Sequence, residues 1–130
     1  MTTLTDKPGI TLIKSGSFKL NDLSKLLNVE GLKSDMAEVA VTNNSAELTI
    51  GHFTMSPGVG FEYFYDTAEY KVVTKGKIVM RDMAGNKYVA EVGDVILFSP
   101  DVNVIFDAES DGEAIYTAHR KAAADFAPSK

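Results

Sequence analysis

A series of short strand-forming segments, each closed by turn residues, most constrains the fold of this chain. From Met36 onward, runs rich in Val, Ile, Phe, Tyr and Thr alternate with clusters of Gly, Pro, Asn, Asp and Ser, without a helical period. Those clusters supply the positive or fixed φ that hairpins and corners need. The sequence therefore predicts an all-β sandwich or barrel of antiparallel strands. The predicted strands are Ala37–Thr42, Glu47–Met55, Phe61–Tyr65, Tyr70–Thr74, Lys77–Asp82, Lys87–Val92, Asp94–Phe98, Asn103–Asp107 and Ala114–Ala118.

The first 36 residues have a different pattern and are predicted to form an N-terminal arm. Ile10–Ile13 and Ser17–Leu20 have the composition of short strands, and Asn21–Leu27 that of one or two capped helical turns. Such an arm would cover an open barrel edge or cross to a partner subunit. Residues 37–120 are predicted to form the barrel, and residues 121–130 a short helix or a frayed tail.

Size, charge and the absence of cysteine limit the possible partners. A chain of 130 residues is predicted to form a single domain. Its net charge of -5 and scattered lysines argue against a nucleic-acid partner. The chain has no cysteine, so disulfides and thiolate metal sites are excluded. No apolar stretch approaches the roughly 18 residues of a membrane span, and the start lacks an apolar signal core. We therefore expect a cytoplasmic protein with no membrane partner.

Two spaced motifs lie in the second half of the chain. Glu69 precedes Gly76 in the first, and Gly93 and Asp94 open an apolar run that ends near Pro100 in the second. This arrangement resembles the cupin superfamily, whose first motif has an H-x-H pair, a glutamate and a glycine, and whose second has G-D, an apolar run, a proline and a late histidine. The similarity is greatest to small single-domain cupins of the ethanolamine-utilisation type. It implies a cupin-type antiparallel β-barrel, a double-stranded β-helix or jelly roll.

The metal-binding histidines of that superfamily are missing at the matching positions. The H-x-H positions fall on Tyr63 and Tyr65 with the shorter family spacing, and on Glu62 and Phe64 with the longer one. The late histidine position falls on Ile105. Transition-metal sites typically need three or more protein ligands, so we expect no metal and no other cofactor.

Two histidines lie outside the motifs and leave one metal alternative open. His52 is in a predicted strand, and His119 follows the last strand beside an arginine. A rearranged site from His52, Glu69, His119 and a tyrosine would restore metal-dependent chemistry. It requires both histidines to reach the same place as Glu69.

Strand alternation puts Glu69 and Lys71 on the same face of one strand, and the cupin resemblance turns that face inward. The two side chains are then close enough to pair. Burial would lower the pKa of the lysine and the carboxylate would raise it, and the sequence leaves both outcomes open. We predict that Lys71 or His52 moves a proton, that Glu69 tunes it, and that Tyr65 or Tyr63 orients the substrate. A Schiff base on Lys71 is a further alternative.

The predicted partner is a small organic molecule in the barrel. Its predicted substrate-binding residues are the apolar and aromatic side chains Tyr63, Phe61, Ile105 and Tyr116. The predicted activity is that of a metal-independent lyase, isomerase or cyclase. Alternatives are a non-catalytic ligand-binding or accessory protein, or a metal-dependent enzyme with a rearranged site. The resemblance also implies a homodimer.

Overall fold

The computed structural model describes residues 19–40 and 47–121. Within them lie one short helix and nine strands. Their bounds are β1 Asn21–Asp22, α1 Leu23–Leu26, β2 Ser34–Ala40, β3 Thr49–Met55, β4 Phe61–Tyr65, β5 Glu69–Arg81, β6 Lys87–Glu91, β7 Val95–Phe98, β8 Val102–Phe106 and β9 Asp111–Ala118.

All strand pairs are antiparallel, and together they form one curled sheet. The strand order is β1-β2-β3-β9-β5-β8-β4, with β6 and β7 also paired to β5. The start of β5 pairs with β7 and β9, and its end pairs with β6 and β8, so this strand joins the two halves of the barrel. The predicted cupin-type jelly roll is confirmed.

Strand β5 is longer than the sequence predicts. The predicted strands Tyr70–Thr74 and Lys77–Asp82 are one element of 13 residues. The turn signal at Gly76 produces a bend instead of a break, with φ 60° and a shift of register between Val73 and Lys75. A Cβ at Gly76 would lie 2.0 Å from the Asp111 carbonyl oxygen, so the close pairing with β9 requires glycine there.

The described part of the arm carries the predicted helical turn. Helix α1 begins after Asp22, whose Oδ1 accepts a 2.8 Å hydrogen bond from the Ser24 amide. Strand β2 begins at Ser34, earlier than predicted, because it pairs with β3 over its whole length. Ile10–Ile13, the first half of Ser17–Leu20, and residues 122–130 lie outside the described residues. No helix among residues 19–40 and 47–121 is long and apolar enough to cross a membrane.

Aromatic rings fill the barrel interior. Phe61 stacks on Phe106 at a centroid distance of 4.9 Å, and Tyr65 stacks on Phe98 at 4.3 Å. Phe53 lies 5.5 Å from Phe106 and completes the cluster. Such offset contacts add to the free energy gained by burying the rings. The barrel core is therefore an aromatic layer, and its rings surround buried charged side chains.

Candidate active site

A narrow cavity of about 30 Å³ lies between the inner face of the barrel and the arm. Strands β3, β4 and β8 supply its aromatic walls, β5 supplies two charged residues, and α1 with its C-cap residue supplies two leucines. The lining residues are Leu23, Leu27, Met36, Phe53, Phe61, Tyr63, Tyr65, Glu69, Lys71, Phe106 and Arg120. The cavity is thus apolar except where two cations, one carboxylate and two phenols meet.

Glu69 and Lys71 form a buried ion pair at the start of β5. Lys71 Nζ donates a 2.8 Å hydrogen bond to Glu69 Oε2, and the two side chains are 4% and 3% exposed, lysine first. The ammonium also lies 4.5 Å from the ring centre of Phe53 and 4.2 Å from that of Tyr116. Burial lowers the pKa of Lys71 below its ordinary 10.5, and the charge of Glu69 opposes this only in part.

A second buried pair adjoins the first. Glu38 on β2 has no solvent exposure, and its Oε1 accepts hydrogen bonds from the guanidinium of Arg120 and, at 2.7 Å, from the Tyr116 hydroxyl. Arg120 also lies 3.6 Å from Glu69 Oε1. Burial acts to lower the pKa of Arg120, but its hydrogen bond to Glu38 and the nearby charges outweigh this, so the pKa is raised. Two carboxylates and two cations therefore alternate in one network.

Strand register explains how these residues meet. Glu38 is opposite Gly51, Gly51 is opposite Tyr116, and Tyr116 is opposite Lys71, so the four positions form one row across β2, β3, β9 and β5. A Cβ at Gly51 would lie 2.1 Å from Tyr116 Cζ. The tyrosine ring thus crosses β3 where the side chain is missing, and this lets its hydroxyl reach Glu38.

Two tyrosines of β4 provide hydroxyl donors near the pair. Tyr63 and Tyr65 both line the cavity, whereas the intervening Phe64 and the neighbouring Glu62 point outward and are exposed. Burial, followed by the charge of Glu69, raises the pKa of Tyr65 well above 10.0. Burial also raises the pKa of Tyr63. Both phenols therefore keep their protons at neutral pH. The inward direction of Tyr63 and Tyr65 agrees with the shorter spacing of the H-x-H positions in the first motif.

The structure does not bring His52 or Ile105 to this cavity. Gly51, Phe53 and Met55 form the buried face of β3, so His52 lies on the opposite face, where its Nε2 is 3.1 Å from Glu113 Oε1. Ile105 is likewise on the outer face of β8, opposite Glu62.

The inward residues of β8 are its neighbours Val104 and Phe106. Counting along the second motif was therefore one residue out of phase, and in a strand one residue reverses the face.

Three other predicted residues lie where the sequence placed them. Glu69, Lys71 and Phe61 are buried and line the cavity. Tyr116 is also buried and contacts Lys71, but it lies beside the amine and is not among the lining residues. From this position Tyr116 can hold Lys71 in place, but it does not face the space that a substrate would occupy.

Glu38 and Arg120 were missed by the sequence reasoning. Each continues an inward face by alternation: Glu38 follows Met36, and Arg120 follows the buried Ala118. A charged residue at the next inward position of a buried face is the signal that could have identified both.

The residues at this site do not fit a metal ion. Within residues 19–40 and 47–121, no group of three or more His, Asp or Glu side chains could hold one. His119 is exposed beyond the end of β9, and His52 is on the outer face. Glu69 has Lys71 on one oxygen and Arg120 near the other, so a second cation there would meet like charge.

A larger cleft of about 560 Å³ opens elsewhere, between β6, β7 and β8. Its carboxylates, Asp82 and Asp94, accept hydrogen bonds within their own turns, from Asn86 and from the Glu91 amide. It has no buried titratable pair. The smaller cavity, where the charged groups converge, is therefore the candidate site.

A curled antiparallel jelly roll with a site inside its barrel defines the protein as a cupin. The family model described as ethanolamine utilisation protein EutQ matches residues 1–125. The chain belongs to the EutQ family. No curated protein matches the sequence significantly.

Solved structures agree on the fold. The chain is similar to a protein described as ethanolamine utilization protein Q from Salmonella typhimurium LT2, with TM-score 0.70, 18% identity, and 87% of this chain and 88% of that one covered. The EutQ protein of Clostridium difficile matches with TM-score 0.62, 19% identity and coverages of 81% and 88%. An RmlC-like cupin from Shewanella frigidimarina matches with TM-score 0.61, 16% identity and coverages of 87% and 94%.

Proposed function

We propose that this protein binds a small organic molecule in the cavity and moves protons on it with Glu69 and Lys71. The reaction class is that of a metal-independent lyase, isomerase or cyclase. The observation that carries the proposal is the 2.8 Å contact between Lys71 Nζ and Glu69 Oε2, with both side chains buried at the cavity surface. Moving such an ion pair out of water costs roughly several kcal/mol per ion unless other contacts offset the cost. Buried titratable pairs with perturbed pKa values are therefore found preferentially at functional sites.

Each group has a role that its surroundings support. Glu69 accepts a proton from a carbon or oxygen of the substrate, and Lys71 returns it. The hydroxyls of Tyr63 and Tyr65 donate hydrogen bonds to an oxyanion that develops on the substrate. The rings of Phe53 and Phe106 exclude water, which strengthens these interactions.

Hydrogen exchange tests the proposal without knowledge of the natural substrate. Small aldehydes, ketones and 2-oxo acids are incubated with the protein in D₂O, and proton NMR follows the C–H next to the carbonyl. We expect catalysed exchange of at least one compound, reduced by about 10²-fold or more in Glu69→Gln and Lys71→Met. Glu62→Gln and Lys75→Met change exposed residues of the same types and serve as controls. Equal exchange in all five proteins would disprove the assignment.

A non-catalytic ligand-binding or accessory role is the second candidate, and one observation favours it. No buried side-chain nitrogen or oxygen within residues 19–40 and 47–121 lacks a hydrogen-bond partner. The network is complete without a substrate, as expected of a charge pair that only orients a ligand. A compound that raises Tm in a Lys71-dependent manner, without exchange or conversion, would identify this role.

A further inference from the structure

We propose that Lys71 forms an imine with a small aldehyde or ketone in the cavity, with Glu69 carrying the proton. This rests on the proposed function and names its substrate class. The amine of Lys71 lines the cavity, and its partner carboxylate is 2.8 Å away. A nucleophile with a base in hydrogen-bond contact is the arrangement that covalent catalysis by lysine needs.

Burial makes the uncharged, nucleophilic form of the Lys71 amine more accessible than it is for an exposed lysine, and the contact with Glu69 opposes this only in part. Within the described residues, Glu69 accepts the one hydrogen bond that Lys71 donates, and the rings nearest Nζ are those of Tyr116 and Phe53, with Phe106 and Phe98 farther away. Burial therefore lowers the pKa of Lys71. A lower pKa raises the fraction of free amine near neutral pH. An exposed lysine such as Lys75 lacks this burial.

The proposed step balances without any further reactant. The Lys71 ammonium gives one proton to Glu69, and the nitrogen lone pair attacks the carbonyl carbon while the C=O π electrons move to oxygen. The carbinolamine oxygen takes the proton back from Glu69 and a second proton from nitrogen. The C–O bond then breaks and water leaves. One carbonyl compound and one ammonium yield one protonated imine and one water, and Glu69 ends as a carboxylate.

The charge network holds the product as well as it holds the free lysine. A protonated imine keeps one positive charge beside Glu69 and against the aromatic faces. Arg120 remains fixed by Glu38 and needs no new partner. The cavity of about 30 Å³ favours a carbonyl compound of few heavy atoms, with an apolar chain that packs on Phe61 and Phe106.

Reductive trapping tests the proposal on the wild-type protein. The full chain is incubated with propanal and cyanoborohydride at pH 7, and mass spectrometry of the peptides locates the N-propyl group. We expect modification of Lys71 at a rate about tenfold or more above that of Lys75, because Glu69 is in hydrogen-bond contact with the Lys71 amine and can carry its proton. Modification confined to exposed lysines overturns the proposal. 1-Propanol is the control compound, because it is similar in size to propanal but has no carbonyl group. It forms no imine, and it should slow the trapping of propanal by occupying the cavity.

Two variants separate the imine from the acid-base function. Lys71→Arg keeps a cation beside Glu69 and should lose the trapped adduct while remaining folded. Glu69→Gln should keep the amine and slow trapping. If Lys71 is not trapped but C–H exchange still depends on Glu69 and Lys71, the imine is wrong and the proposed function stands. If neither trapping nor exchange occurs, both are wrong.

Discussion

The Tyr116 hydroxyl donates a 2.7 Å hydrogen bond to Glu38, a carboxylate with no solvent exposure. Burial, and then the charge of Glu38, raise the pKa of Tyr116 far above its ordinary 10.0. The native protein keeps this proton where the unfolded chain releases it. The native state therefore binds more protons above about pH 10, and the free energy of unfolding falls as the pH rises past that value.

Replacing Tyr116 with phenylalanine should reduce this alkaline loss of stability. We expect Tyr116→Phe to be less stable at pH 7 by roughly 1–3 kcal/mol, because Glu38 loses a hydrogen-bond donor. Above pH 10 its free energy of unfolding should fall less steeply than in the wild type, with a remaining slope from Tyr65. Urea denaturation between pH 7 and 11 measures both. Tyr70→Phe, at an exposed site, is the control, and an unchanged slope in Tyr116→Phe would contradict the coupling.

Breaking the Glu69–Lys71 pair should cost stability that a second substitution restores in part. Lys71→Met leaves Arg120, 3.6 Å away, as the nearest cation to Glu69, so we expect a loss of about 3–5 kcal/mol with the fold retained and ligand processing abolished. Adding Glu69→Gln removes the unpaired charge and should recover part of this loss. Lys75→Met should stay within about 0.5 kcal/mol of the wild type by urea denaturation. Simple additivity in the double variant would mean that the two residues do not interact.

Gly51 should be intolerant of even a methyl group. Gly51→Ala forces the Tyr116 ring away from β3 and off Glu38, at a cost of roughly 1–3 kcal/mol. The same substitution in a Tyr116→Leu background should cost much less, since the shorter side chain does not cross β3. Thermal denaturation of the four proteins completes the cycle. Equal costs in both backgrounds would show that the clash is relieved elsewhere.

Metal content is expected to distinguish this site from a cupin site built from histidines. Untagged protein purified without chelator should carry far less than one Fe, Mn, Ni or Zn per chain, because Lys71 and Arg120 already neutralise Glu69. Elemental analysis gives the answer directly. One equivalent of metal that disappears in Glu69→Gln would refute the metal-free assignment and restore the metal-dependent alternative.

The homodimer remains a prediction, and the outer face of the barrel indicates where to test it. Tyr70 is paired with Leu97 and Val72 with Val95, so apolar side chains adjoin one another there. Leu97 is 73% exposed and Val95 is 65% exposed. Adjoining apolar side chains with this much exposure are unusual on the surface of a monomer. Leu97→Glu should convert a dimer to a monomer by light scattering after size exclusion. Met83→Glu, exposed in a turn after β5, should leave the oligomeric state unchanged.

The sequence predicts well what depends on neighbouring residues. Period-two alternation places the strands, and with the cupin resemblance it predicts the contact of Glu69 with Lys71, two residues apart on one face. Turn residues mark the strand ends to within a few positions. The exception is β5, where a glycine with φ 60° bends a strand that continues through it.

Long-range contacts explain most of what the sequence did not predict. Glu38 and Arg120 are separated by 82 positions, and the pairing of β2 with β3 and of β3 with β9 brings them together. No local pattern records that order. His52 shows the other limit: alternation groups it with Ile50 and Thr54, but tertiary packing decides which face is buried.

Leu23 and Leu27 form part of the cavity wall, and both belong to the short segment around α1. That helix has four residues, and β1 beside it pairs through only two. Short elements with few buried contacts open at a much lower free energy than core strands. For the ligand that we propose to lie against Lys71, the rate of escape would follow how often this segment opens, a kinetic property that the stability of the barrel does not control.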